Sequence, residues 1–317
     1  MNFSFTLKGR DWIGLYLAVF VFYFIPAIAM QFFARHMQKD PSNVMNLVVL
    51  FSLFIIMMLS MLILATPILN KIINSIHLND RPLNYSGKIV EFVFLNIGGL
   101  LLCIITVGIY FPWYVTKLMR YLVGKTSYNN SNFIFNGKGL HLLGLLAATL
   151  LLPMILYSMV IACIGRGLNG GIFFAIFSQI IVFLVMIPYI YWIYKWMMNI
   201  TYKEYLIKWD TIAIQSMGKI LLEMVLTIIT LGIYYPVAFA KLYQYFIRRT
   251  VICRQDIKTL ALNAQFNFVN AWKIVWSQLL LTIVTCGIYG AWAYCRIIDL
   301  FISNTSLVKY KEPGYQN

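Results

Sequence analysis

Apolar residues gather into seven long runs, at about 12 to 34, 44 to 69, 89 to 111, 140 to 163, 171 to 194, 218 to 240 and 271 to 295. Runs such as Val48 to Leu64 lack the period-two alternation of outer-membrane barrel strands, and an isolated strand cannot satisfy its backbone in hydrocarbon. Each run therefore predicts a helix of about the 20 residues that span a bilayer. The polar stretches between them, near 112 to 139, 195 to 217 and 242 to 270, are too short to bury cores of their own. The pattern predicts an all-α polytopic integral membrane protein without a soluble domain. Ala27-Ile28-Ala29 loosely resembles a signal-peptidase site, but the first run, at about 23 residues, is longer than a signal h-region and predicts a retained helix.

One phrase occurs three times: Thr106-x-Gly108-Ile109-Tyr110-x-Pro112-Trp113, Thr230-x-Gly232-Ile233-Tyr234-x-Pro236-Val237 and Thr285-x-Gly287-Ile288-Tyr289-x-Ala291-Trp292. A cation follows each Thr by eleven positions: Lys117, Lys241 and Arg296. A second phrase, apolar-x-apolar-x-Gly, precedes several runs as Phe5-x-Leu7-x-Gly9, Leu83-x-Tyr85-x-Gly87 and Phe133-x-Phe135-x-Gly137, with the variant Phe266-x-Phe268-x-Asn270. Its spacing predicts a short extended entry to the bilayer. Arg10, Lys88 or Lys138 follows each glycine, as expected where a helix meets headgroups. The phrases divide the chain into internal repeats of about 5–128 and 133–252, plus an extra motif helix at 266–308. They predict an internally duplicated helical bundle. Proline four residues after glycine removes a helix hydrogen bond, so Pro112 and Pro236 predict helices broken at Gly-Ile-Tyr-x-Pro; the third copy has Ala291 there.

Charge then bears on topology. Hydrophobic residues make up 61% of the 317 and charged residues 11%, against about 25% charged in a soluble domain, so a water-soluble fold is excluded. Mean hydropathy is +0.79. Against 10 Asp+Glu stand 25 Lys+Arg, a net charge of +15. Lying between apolar runs, these cations predict contact with anionic lipid headgroups, and no nucleic acid. If all seven runs cross the membrane, 12 cations face one side and 13 the other. If the three motif runs return to the face they left, only Arg35, Lys39 and Arg166 lie outside, leaving 22 inside. The positive-inside rule favours the second arrangement: four spans, three re-entrant hairpins and both termini cytoplasmic.

The motif residues admit two readings: an aromatic belt with snorkelling cations, or broken helices lining a hydrophilic path or a lipid-headgroup site. Glu91 and Glu223 are candidate intramembrane acids, although Lys88 and Lys219 stand at ion-pair spacing before them. Asn96, Gln179 and Gln278 predict interhelical hydrogen bonds. Five cysteines (Cys103, Cys163, Cys253, Cys286, Cys295) form no disulfide pattern, and His36, His77 and His141 show no metal spacing. With no nucleophile set or phosphate loop, the sequence predicts neither an enzyme nor a cofactor.

At these residues the chain resembles the YjgN-like family of bacterial inner-membrane proteins, a family named for a domain of unknown function. The resemblance rests on Phe133-x-Phe135-x-Gly137, the phrase from Thr106 to Trp113, and Arg120-Tyr121, and extends through the repeats. Val237, Ala291 and the single basic residues after Trp113 depart from the pattern. It implies a multi-pass inner-membrane protein and carries no reaction, substrate or catalytic residue. Two functions are expected: a transporter or permeation component for a small or lipid-like solute, or a non-transporting scaffold or envelope-homeostasis factor whose basic face binds anionic lipid or a protein partner. Homo-oligomers are compatible with either.

Overall fold

The computed structural model describes residues 1–39, 44–164 and 172–310. Its helices are arranged as five hairpins standing on a ring of strands, which corrects the all-α expectation. In chain order the elements are β1 (Phe3–Phe5), α1 (Gly9–Val19), a π-helical turn (Phe20–Phe24), α2 (Ile25–Lys39), α3 (Val44–Asn74), β2 (Ile76–Leu78), β3 (Arg81–Pro82), β4 (Asn84–Tyr85), α4 (Ile89–Ile105), α5 (Phe111–Gly124), β5 (Thr126–Tyr128) and β6 (Ser131–Phe135). There follow α6 (Gly139–Leu146), a second π-helical turn (Ala147–Leu151), α7 (Leu152–Ile164), α8 (Ile172–Met197), β7 (Ile200–Tyr202), β8 (Tyr205–Trp209), α9 (Ala213–Ile229), α10 (Tyr235–Arg248), β9 (Thr250–Arg254), β10 (Ile257–Ala264), α11 (Phe268–Val284), α12 (Gly290–Ser303) and β11 (Thr305–Lys309).

All strand pairings are antiparallel. One sheet runs β11-β10-β9-β8-β7-β6-β5-β4 and another β1-β2-β3. Two joints close them on each other. Leu83 links β3 to β4 as one strand, and its N–H donates to Ile76; at the other side Asn2 bridges Ser306, and Met1 and Leu307 exchange backbone hydrogen bonds of 3.0 and 2.7 Å. Closure removes the unpaired edges that such short strands would otherwise leave. Four hairpins of the ring turn on two residues each: Asn79-Asp80, Asn129-Asn130, Lys203-Glu204 and Gln255-Asp256. Three of these hold both residues at positive φ, the backbone twist that two-residue turns need. The polar stretches, each too short for a core of its own, are thus pooled into one ring.

Each helix packs on its neighbours around the ring, including α12 on α1. The buried apolar clusters lie at these seams: Trp12 with Ala291, Phe135 with Leu142 and Trp196, Tyr191 with Ile220, and Ala240 with Ala271 and Phe301. The chain exposes 19617 Å², well above the ~13,500 Å² of a compact soluble protein of its mass. Many large apolar side chains are exposed, among them Phe94, Ile104 and Leu231, which suits lipid. Three helical stretches among the described residues are long and apolar enough to cross a membrane: Gly9–Arg35, Val44–Asn74 and Gly139–Met159. Arg166 and the side chains of Lys39 and Gln179 lie outside the description.

The three motif runs do not continue as single helices. Each reverses direction, so that α4–α5, α9–α10 and α11–α12 leave the ring and return to it. The returning legs, with polar residues on one face, continue beyond the apolar runs and are separate amphipathic helices.

Candidate functional site

The repeated phrase is the tip of each short hairpin. The first leg ends at the Thr; Val107, Leu231 and Cys286 then take φ of 50°, 50° and 48°, and Gly108, Gly232 and Gly287 take 85°, 87° and 92°. Two successive left-handed residues reverse the chain, and the second position favours glycine. The Thr hydroxyl acts twice. It donates to the carbonyl four residues earlier, at 2.7 Å from Thr106 and 2.8 Å from Thr230 and Thr285, and accepts the N–H of Tyr110, Tyr234 or Tyr289 at 3.0, 3.2 and 3.0 Å. Across Thr106–Trp113 and Thr230–Val237 every N–H has an acceptor within the turn or the first leg.

Pro112 and Pro236 therefore do not kink a continuing helix. They lie in the first turn of α5 and α10, where a missing N–H costs nothing, and the Gly108 and Gly232 carbonyls accept from Phe111 and Tyr235 at 3.0 Å. The third copy makes the same turn with Ala291, so Thr and Gly are the decisive residues.

Below the tip, a tyrosine reaches across each hairpin: the motif residue in the second and third copies, and Tyr114 in the first. Tyr234 donates to Glu223 Oε2 at 2.8 Å and accepts from Lys241 Nζ at 2.8 Å. Lys219 Nζ lies 2.7 Å from Glu223 Oε1, a charge contact without hydrogen-bond alignment. Glu223 is 1% exposed, and this buried carboxylate is paired directly by Lys219, hydrogen-bonded by Tyr234 and reached by Lys241 through that tyrosine. In the third copy Tyr289 donates to Gln278 Oε1 at 3.0 Å. In the first, Gly99 occupies the corresponding position because the Tyr114 ring fills the space a Cβ would take, and Tyr114 donates to Asn96 at 2.6 Å. Lys117 sits over the Tyr110 ring, 5.5 Å from its centroid. Glu223 and Gln278 both stand seven residues before the motif Thr, a register that comparing the two glutamates alone could not reveal. Glu91 is a different kind of acid: it is half exposed at the start of α4, 2.8 Å from Lys125 and 3.9 Å from Lys88.

The motif Trp packs on the next hairpin rather than simply facing lipid. A Cβ at Gly139 would lie 2.7 Å from Trp113, and one at Gly9 2.5 Å from Trp292. Where the motif has Val237, the next helix begins with Phe268 and both line one cleft: the bulk has changed sides. The aromatic-x-Gly phrase has a similar basis, since the Tyr85 and Phe135 rings fold back over Gly87 and Gly137. The cations at the helix starts are the N-cap residues Lys8, Lys88 and Lys138, so Lys8 takes the place expected for Arg10.

The clefts at these sites, lined by Tyr110 and Lys117, by Val237 and Lys241, and by Trp292 and Arg296, each draw motif residues from a single copy. No group of three potential metal ligands occurs among the described residues.

A profile of the family described as "Bacterial protein of unknown function (DUF898)" matches residues 80–250, more than half of the chain. The chain belongs to that family. It is also 30% identical over 113 residues to "Inner membrane protein YjgN" of Salmonella typhimurium, a stretch covering 36% of this chain and 27% of that protein. The chain thus matches about a quarter of the length of this curated relative. No solved structure matches it. The profile begins at the first ring turn and ends at β9, taking in two of the three motif tips of this DUF898 member.

Proposed function

We propose that this protein is a bacterial inner-membrane protein that works from one leaflet, with its strand ring and both described ends on the cytoplasmic side. Two long hairpins cross the bilayer. Three short hairpins enter and leave from the ring side, and the basic ring face binds anionic lipid without transporting a solute.

The depth of the short hairpins carries this reading. Tyr16 donates to the Gly287 carbonyl at 2.6 Å, so the third tip ends level with the seventh residue beyond Gly9, where the first spanning stretch begins. At 1.5 Å per residue this is about 10 Å, within one leaflet of a hydrocarbon core of ~30 Å. The tips suit that depth. Val107 and Leu231 are 90% and 92% exposed, and the self-contained hydrogen bonding of the turn removes the need to bury irregular backbone in protein. The proposed topology assigns 22 of the 25 cations to the ring side, so the orientation follows the positive-inside rule. Transport would call for a polar path shared by the motif copies, and single-copy clefts favour the lipid-binding reading. The long-short, long-short, short order of hairpins supports duplication of a two-hairpin unit.

Reporter insertion between Asn129 and Asn130 tests the topology: cytoplasmic signal is expected, and periplasmic signal would overturn it. Lipid co-purifying with the protein should be enriched in anionic species over the bulk membrane; equal proportions would overturn the lipid-binding role.

A further inference from the structure

The seam between the third short hairpin and the first long one differs from the others. Fourteen residues after the motif Thr stand Arg120, Gln244 and Asp299. Arg120 donates to the Gly137 carbonyl at 3.1 Å and Gln244 to that of Ala264 at 2.9 Å, each stitching its hairpin to the start of the next. Asp299 is an acceptor and cannot make that stitch. At this seam a cleft of about 770 Å³ opens, lined by Leu7, Lys8, Asp11, Trp292, Arg296 and Asp299 among others.

The polar groups of the cleft come in two signs. Lys8 Nζ and the Arg296 guanidinium have no ion-pair or hydrogen-bond partner among the described residues. Asp11 uses Oδ2 to accept the Lys8 N–H at 3.2 Å, and Asp299 uses Oδ1 to accept from Ser303 at 2.5 Å. Each keeps a second oxygen. Lys71 approaches the Asp11 carbonyl from α3. The cleft lies where Gly9–Arg35 begins, beside Trp292, at the level that Trp and Lys occupy in interfacial belts.

From this arrangement we infer that the cleft binds the headgroup of a phospholipid bearing both a phosphate and a primary ammonium. Lys8 and Arg296 hold the phosphate, Arg296 through paired N–H donors. Asp11 and Asp299 accept from the ammonium, whose three N–H groups a quaternary ammonium lacks. Trp292 and Leu7 receive the glycerol and the first acyl carbons. The inference rests on the one-leaflet reading, which places this seam at the cytoplasmic headgroups.

The test uses full-length protein in detergent, titrated with phosphatidylethanolamine, phosphatidylcholine or phosphatidylglycerol and read by native mass spectrometry of the lipid-bound fraction. Wild type should hold the ethanolamine lipid about tenfold more tightly than the choline lipid, the scale of one charge-assisted hydrogen bond. Asp299→Asn should remove that preference and leave the glycerol lipid unaffected. Arg296→Gln should weaken both the ethanolamine and the glycerol lipid about tenfold. Equal binding of all three lipids by wild type, or a preference untouched by D299N, would overturn the assignment. A cytoplasmic reporter signal at Asn129 combined with such indifference would refute this site alone, whereas a periplasmic signal would refute the one-leaflet reading first.

Discussion

The α9–α10 and α11–α12 hairpins share a tip, a Thr hydroxyl with two bonds and a tyrosine reaching across to the residue seven before the Thr. They differ in what it reaches. Glu223 stands with Lys219 one turn before it, and Lys241 donates to its tyrosine; Gln278 has Ile274 at the turn before, and among the described residues no cation bonds Tyr289. The hydrogen bond that holds the legs together is therefore independent of charge. The carboxylate is tolerated in the first hairpin because two lysines accompany it, and the amide suffices where they do not.

The largest effect follows from exchanging the two. Gln278→Glu puts a buried acid where no lysine stands one turn before it and, among the described residues, no cation bonds its tyrosine, and should destabilise the detergent-solubilised protein by about 3 kcal/mol at pH 7. The loss in thermal midpoint should shrink at pH 4, where a protonated carboxyl can replace the amide. Glu223→Gln should cost about 1 kcal/mol, because Tyr234 keeps an acceptor and Lys219, 30% exposed, can turn to the headgroups. Equal losses for the two exchanges would show that charge plays no part in the difference.

The sequence showed the hairpins more clearly than the ring. Seven apolar runs, the three tips and the cation asymmetry were legible because hydrophobic length, a repeated phrase and charge counts are local signals. The returning legs were not, since polar faces on α5, α10 and α12 end the apolar runs midway. Of the ring, only the extended backbone at β1, β4 and β6 was legible, from the apolar-x-apolar-x-Gly phrases; its pairing was not, because its strands are two to eight residues long and each is stable only with the others in place. Asn79-Asp80 and Asn129-Asn130 were hairpin signals of the right length, but the alternation of Leu83-x-Tyr85 and Phe133-x-Phe135 stands on one flank only. At the site, the break of the helices at each phrase was legible, but the sequence assigned it to Pro112 and Pro236 because a proline looks alike inside a helix and in its first turn. Tyr114, Gly99 and the Glu223–Gln278 register could have been found by aligning the legs on the motif Thr.

The seams sharpen the comparison at a smaller scale. Gly9→Phe should collide with Trp292 and destabilise by about 2 kcal/mol. Adding Trp292→Val, which recreates the Val237–Phe268 arrangement, should recover most of the loss. Denaturant midpoints of the single and double variants measure this, and additive losses would refute size exchange across the seam.

The smallest effect lies where the strands of the two hairpins meet. Lys258 donates to Asp210 at 2.5 Å, and that hydrogen bond holds the Lys258 ammonium above the usual lysine range. A raised pKa in the folded state stabilises below the ordinary lysine value, and that contribution disappears as pH rises through the raised one. Both side chains are over a third exposed, so Asp210→Asn should cost only about 0.5 kcal/mol at pH 8. The difference from wild type should disappear as pH rises through the raised Lys258 value, as thermal midpoints across an alkaline series would show.

The closure of the ring by Asn2 with Ser306 constrains biogenesis. Pairing residues 306 apart in sequence, as Met1 and Leu307 do, is the most distant hydrogen bond among the described residues, and loop closure on that scale comes late. The translocon would release hairpins one by one, each strand pair templating the next, while β1 keeps an open edge until β11 is synthesised. Until then the growing ring presents two sticky margins, and a copy of the chain stalled before residue 305 is a partner for any other.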